Sequence, residues 1–109
     1  MVIQQGLDHL FGALADPTRR EIITLLSRRT RSVGELSACF PISQPAITKH
    51  LNVLERAGLI TREVDGRRRR CRLHPERLAA TSEWIGRVRD YWMHRFDLLE
   101  EIIDKEELP

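Results

Sequence analysis

The chain is poor in the features that mark most specialised proteins. Two cysteines, Cys39 and Cys71, occur in 109 residues, too few for a disulfide framework or a four-cysteine zinc site. Six glycines and five prolines exclude a collagen-like or low-complexity chain. The longest nearly apolar run, Ile22-Ile23-Thr24-Leu25-Leu26, falls far short of the roughly 20 residues a membrane-spanning helix needs. The opening Met1-Val2-Ile3-Gln4-Gln5 lacks the basic start and apolar middle of a secretion signal. A cytoplasmic location with no membrane partner is therefore expected. There is no glycine-rich phosphate loop, and no serine or cysteine has a histidine and an acid at a familiar catalytic spacing. Neither an enzyme nor a cofactor is expected.

Basic residues are missing from residues 1–16, which carry two acids. The net charge of +2 hides this asymmetry. Residues 17–72 hold thirteen basic and five acidic side chains, whereas residues 73–109 hold five basic and nine acidic ones. A basic middle between acidic ends points to a polyanion-binding segment flanked by segments with another role.

Hydrophobic residues make up 41% and charged residues 31%, which suits one globular domain, 1–109, with a solvated surface. Leu7, Leu10, Phe11 and Leu14 recur at helical spacing and predict a first helix over about 4–15. Asp16-Pro17 is an N-cap followed by proline at the first helical position, and Ile22, Ile23, Leu25 and Leu26 continue that second helix. Ser32-Val33-Gly34-Glu35 has the spacing of a capping box and opens a third helix, with Val33, Leu36, Cys39 and Phe40 expected on its inner face. Ser43 caps a fourth helix, whose Ile47, Leu51 and Leu54 face the core and which Gly58 closes in the left-handed conformation.

The period then changes to that of a hairpin. Residues Leu59 to Val64 and Arg67 to Leu73 read as strands, with Asp65-Gly66 as a two-residue turn. Pro75 is expected to start a long last helix. The predicted class is mainly α with a small β-hairpin, in the order ααααββα. That is a winged helix-turn-helix with the helix pair at 32–58 and the wing at 59–74.

This arrangement leaves Ser43, Gln44, Pro45, Thr48, Lys49 and Asn52 near the outer, N-terminal side of the fourth helix, where a recognition helix meets base edges and phosphates of duplex DNA. Arg62, Arg67, Arg68 and Arg69 add a cationic wing suited to phosphates or to a narrow minor groove. On the last helix, Ile85, Val88, Trp92, Phe96, Leu99 and Ile103 form an apolar stripe, more than a small winged helix covers alone. With Leu7, Leu10, Phe11 and Leu14 it predicts a self-complementary dimer interface built from residues 1–16 and 75–107.

The stretch Ala15-Asp16-Pro17-Thr18-Arg19 resembles the ArsR family of bacterial repressors. So do the run Ser43-Gln44-Pro45-Ala46-Ile47-Thr48-Lys49-His50-Leu51 with Leu54 and Ala57-Gly58-Leu59, and the wing from Gly66 to Arg72-Leu73. The last helix, with Trp84, Trp92 and Phe96 to Glu100, is similar to one subgroup. The resemblance implies a homodimer binding an inverted-repeat operator, with its first and last helices at the interface. The family's arsenic-type Cys-x-Cys is Ser37-Ala38-Cys39 here, and one thiolate does not make a soft-metal site. The family's other site needs a histidine where Trp92 follows Asp90-Tyr91. His94 with Asp97 leaves the rest of that pattern unfilled, and His9, His50 and His74 lack ligand spacing. No metal is expected. Two alternatives stay open. One is a DNA-binding sensor responding to a metal or a thiol signal, such as an arginine-activated Cys71. The other is a winged-helix module for protein interaction.

Overall fold

A computed structural model describes residues 2–107. The order is α1 (Val2–Leu14), α2 (Pro17–Arg28), β1 (Arg31–Ser32), α3 (Val33–Ala38), α4 (Gln44–Arg56), β2 (Ile60–Asp65), β3 (Arg68–Leu73), a 3-10 turn (Pro75–Leu78) and α5 (Ala79–Glu107). The fold is a mainly helical winged helix-turn-helix with a three-stranded antiparallel sheet in the order β1-β3-β2. Two compact units are distinguished, one ending at Ala79 and one running from Ala80 onward. Residues 2–16 thus belong with the helix-turn-helix unit, and residues 75–78 form a tight turn instead of the first turn of the last helix.

In the first unit, local chemistry sets each boundary. The Asp16 carboxylate accepts from the Arg19 amide at 3.0 Å, and Pro17 occupies the first turn of α2. The Ser32 hydroxyl accepts from the Glu35 amide at 3.1 Å and opens α3. The Ser43 hydroxyl accepts from the Ala46 amide at 3.3 Å and opens α4. Each side chain satisfies an amide that the helix leaves without an intrahelical acceptor. Helix α4 ends in a Schellman arrangement. The Gly58 amide donates to Glu55 O at 2.9 Å and the Leu59 amide to Leu54 O at 3.0 Å, with Gly58 at φ 76°. Leu54 and Leu59 are both buried, the apolar contact that usually accompanies this cap.

The core joins Leu10 and Ala13 of α1, Ile22, Ile23 and Leu26 of α2, Leu36 of α3, Ile47, Leu51 and Leu54 of α4, and Leu59, Ile60 and Cys71 of the sheet. Two expectations are corrected. The hairpin turn is Gly66-Arg67, one residue later than expected, because Asp65 pairs with Arg68. Gly66 alone takes a positive φ, 65°, so only one turn position needs glycine. Cys39 is exposed as the C-cap of α3 and does not face inward, since the helix stops at Ala38. Strand β1 is an addition: Arg31 pairs with Cys71 and Ser32 with Arg70.

Candidate nucleic-acid interface

Helix α4 buries Ile47, Leu51 and Leu54. Gln44, Thr48 and Asn52, spaced four apart, therefore share the opposite face. Ser43, Gln44, Pro45, Lys49 and Asn52 are exposed and Thr48 is half-buried. Gln44 and Thr48 line one groove with the wing, and Asn52 lies with Glu55 and Arg56 one turn further along the helix.

In the sheet, alternation decides which arginines reach solvent. Arg62 stands opposite Cys71 and Val64 opposite Arg69. One face of the hairpin therefore runs from the core, at Ile60, Leu73 and Cys71, outward through Arg62 to Arg69. Arg67, Arg68 and Arg69 are exposed at the tip, and among the described residues none of them has a carboxylate within ion-pair distance. They line a groove of about 710 Å³ together with Gln44 and Thr48 of α4, Arg62, and Ser32, Val33, Gly34 and Glu35 at the start of α3. The groove is wide, cationic along the wing, and open to the N-terminal half of α4.

Arg62 has a different environment from the tip arginines. Its Nε donates to Glu55 Oε2 at 3.0 Å, and its Nη2 donates to Glu55 Oε1 at 3.1 Å and to Asn52 Oδ1 at 2.6 Å. Its side chain is 15% exposed. The guanidinium hydrogen bonds hold the Glu55 carboxyl below the usual range, and Glu55 in turn raises Arg62. Arg62 was expected among the phosphate-binding residues. In the structure it clamps the wing to α4, whereas among the described residues Arg67, Arg68 and Arg69 have no carboxylate partner. Arg70 is also engaged, with Asp65 at 3.5 Å and with Thr30 Oγ1 at 3.3 Å.

The histidines and thiols have local roles. His50 Nδ1 lies 3.3 Å from Arg19 Nη1 and 3.8 Å from Asp16 Oδ2. Arg19 also donates to the carbonyls of Ala13 and Gly12 at 2.8 and 3.0 Å. One arginine therefore ties the end of α1 to α2 and to the recognition helix. Sequence reading missed this role of Arg19, although its place beside the Asp16 cap was the available signal. His74 Nε2 is 2.9 Å from Thr61 Oγ1. Burial pushes the Cys71 thiol up, the opposite of an arginine-activated nucleophile. Among the described residues no three His, Cys, Asp or Glu side chains converge as a metal site. The expected interface residue Leu10 is in the chain's own core, and Leu14 packs against it. Leu7 and Phe11 are half-buried. On α5, Ile85, Val88, Trp92, Phe96, Leu99 and Ile103 are all exposed, Trp92 by 54% and Phe96 by 59%.

Residues 14–63 match the helix-turn-helix domain family, the segment that carries the caps and the outer face of α4. The chain is 37% identical over 99 residues to the HTH-type transcriptional regulator Rv2034 of Mycobacterium tuberculosis, covering 91% of this chain and 90% of that one. The ArsR-like transcriptional regulator from Rhodococcus sp. RHA1 superposes with a TM-score of 0.77 at 34% identity, covering 94% and 96% of the two chains. The protein belongs to the ArsR family. As an ArsR-family member it is a DNA-binding transcriptional regulator, in a family of regulators and not of enzymes. The HTH-type transcriptional repressor SmtB of Mycobacterium tuberculosis is 39% identical over 77 residues, 71% of this chain and 57% of that one. The homodimeric winged helix-turn-helix domain Mb0332 from Mycobacterium bovis shares the fold at 20% identity, with a TM-score of 0.66 over 99% of this chain and 86% of that one. Among the described residues, no helix is long and apolar enough to cross a membrane.

Proposed function

We propose that the protein is a repressor that binds an inverted-repeat operator as a homodimer, without a metal inducer. The observation that carries the reading is the shared groove, where the outer face of α4 meets the unpaired arginines of the wing. In this reading Gln44 and Thr48 contact base edges in the major groove, which their position lining the groove supports. Arg67, Arg68 and Arg69 are placed for backbone or minor-groove contact. The exposed stripe of α5, with Leu7 and Phe11 as a further apolar patch, is the proposed dimer surface. Both a homodimeric relative and a relative named as a repressor support the assignment. Selection of bound sequences from random duplex DNA tests it, with a palindrome as the expected product. Zinc, cadmium or arsenite at stoichiometric levels is expected to change operator affinity by less than about threefold, or roughly 0.7 kcal/mol. A large loss of affinity reversed by chelator would instead establish a metal sensor.

A further inference from the structure

Asn52 ends the line Gln44, Thr48, Asn52 on the outer face of α4, and an asparagine there ordinarily reads adenine. It does so with two atoms side by side: the amide oxygen accepts from N6 and the amide nitrogen donates to N7. In this chain the oxygen already has a partner. Arg62 Nη2 donates to Asn52 Oδ1 at 2.6 Å. A guanidinium carries five donors and no acceptor, so the amide atom facing it must be the oxygen. Arg62 is itself fixed by two hydrogen bonds to Glu55 and is largely buried, so the amide cannot readily turn over. Its Nδ2 hydrogens point away from the clamp while the asparagine stays exposed. A base amino group approaching Oδ1 would also meet the guanidinium charge.

We propose that Arg62 determines what Asn52 recognises: it takes one lone pair of Oδ1 and sets its guanidinium charge against a base donor approaching the other, so that Asn52 recognises through its Nδ2 hydrogens, which selects a hydrogen-bond acceptor on the duplex and forgoes paired recognition of adenine. The acceptor is guanine O6 or N7, adenine N7 shared with guanine as a purine contact, thymine O4, or a phosphate oxygen. Arg62 is thus a positioning residue for DNA recognition, and Glu55 holds it in place. The inference rests on the reading of α4 as the DNA-reading helix.

The test uses the full chain and its selected operator, with all four base pairs placed in turn at each half-site position. The proteins are wild type, Asn52→Ala, Arg62→Met and the double variant, each checked for a cooperative thermal transition. Asn52→Ala is expected to lower affinity about three- to tenfold, the size of one hydrogen bond. A loss confined to guanine, to thymine or to both purines at one position identifies a base acceptor. A loss equal across sequences identifies a phosphate. With Met at position 62 the same Asn52→Ala change is expected to cost less than about twofold, because the amide is no longer oriented. A wild-type preference for adenine over guanine that Asn52→Ala abolishes overturns the inference. So does an Asn52→Ala protein indistinguishable from wild type, or a folded Arg62→Met background that leaves the Asn52→Ala loss unchanged. If Arg62→Met does not fold, the wild-type and Asn52→Ala profiles decide alone. Wild-type protein that binds no duplex overturns the DNA reading itself; binding with an adenine preference at Asn52 overturns this inference only.

Discussion

Arginines that look alike in the chain have different tasks. Arg67 and Arg68 are exposed at the tip of the wing with no carboxylate partner among the described residues, whereas Arg62 is enclosed by Glu55 and Asn52. Replacing Arg67 and Arg68 by alanine is expected to weaken binding to all duplexes alike. The slope of log affinity against log salt should become shallower by about 1.8, since each neutralised phosphate contributes about 0.9. An unchanged slope in a filter or fluorescence titration would remove these residues from the interface. Glu55 offers a stability test of the clamp. Its carboxyl is held below the ordinary glutamate range by Arg62, so the folded state binds fewer protons than the unfolded chain. The stabilisation is complete above the ordinary glutamate pKa and is lost as pH falls through the lowered one. Thermal midpoints of wild type and Glu55→Gln should differ at pH 7, wild type being the higher, and converge as the solution is acidified below about pH 4.

At the scale of elements, caps were the most legible signal and pairing the least. Asp16, Ser32, Ser43 and Gly58 announce their helix ends because a cap is local: one side chain or one glycine acts on amides and carbonyls a few residues away. Strand pairing is not local. Asp65-Gly66 reads as a turn because both residue types favour it, yet the strands pair with Gly66-Arg67 at the bend. With the turn one residue earlier, Arg62 stands opposite Arg69 and belongs to the tip; in the structure it stands opposite Cys71 and belongs beside the core. The clamp was hidden by that slip. Strand β1 was hidden because two residues, Arg31 and Ser32, carry no periodicity, and their partners Cys71 and Arg70 lie far along the chain. Leu10 could not be divided between core and interface from spacing alone, since both require the same helical face. The bend itself is testable. Gly66→Val forces a β-branched residue to φ 65° and should destabilise the protein by about 1 kcal/mol or more in denaturant unfolding, although no atom lies within 4 Å of the added Cβ. Gly66→Asn should retain most of the stability.

For the whole molecule, the apolar residues of α5 set the expectation. Their exposure in the isolated chain is greater than monomers ordinarily tolerate over one contiguous surface, and a two-fold interface covers such a stripe with its own copy. Sedimentation at micromolar concentration is expected to show a dimer. Trp92→Asp combined with Leu99→Asp should produce a monomer that retains the helix-turn-helix thermal transition but loses most operator affinity, because each half-site is then bound separately. A dimer that survives both substitutions would relocate the interface. Ser32 has one further consequence. It pairs with Arg70 of the wing strand and also caps α3 through the Glu35 amide, so a single residue is bolted to the hairpin and to the helix-turn-helix at once. The wing strand β3 is thereby tied to the start of α3. If α4 reads one stretch of a half-site and Arg67 to Arg69 grip the next, a base pair inserted between the two stretches is expected to lower affinity more than the same insertion outside the half-site, as an operator spacing series would measure.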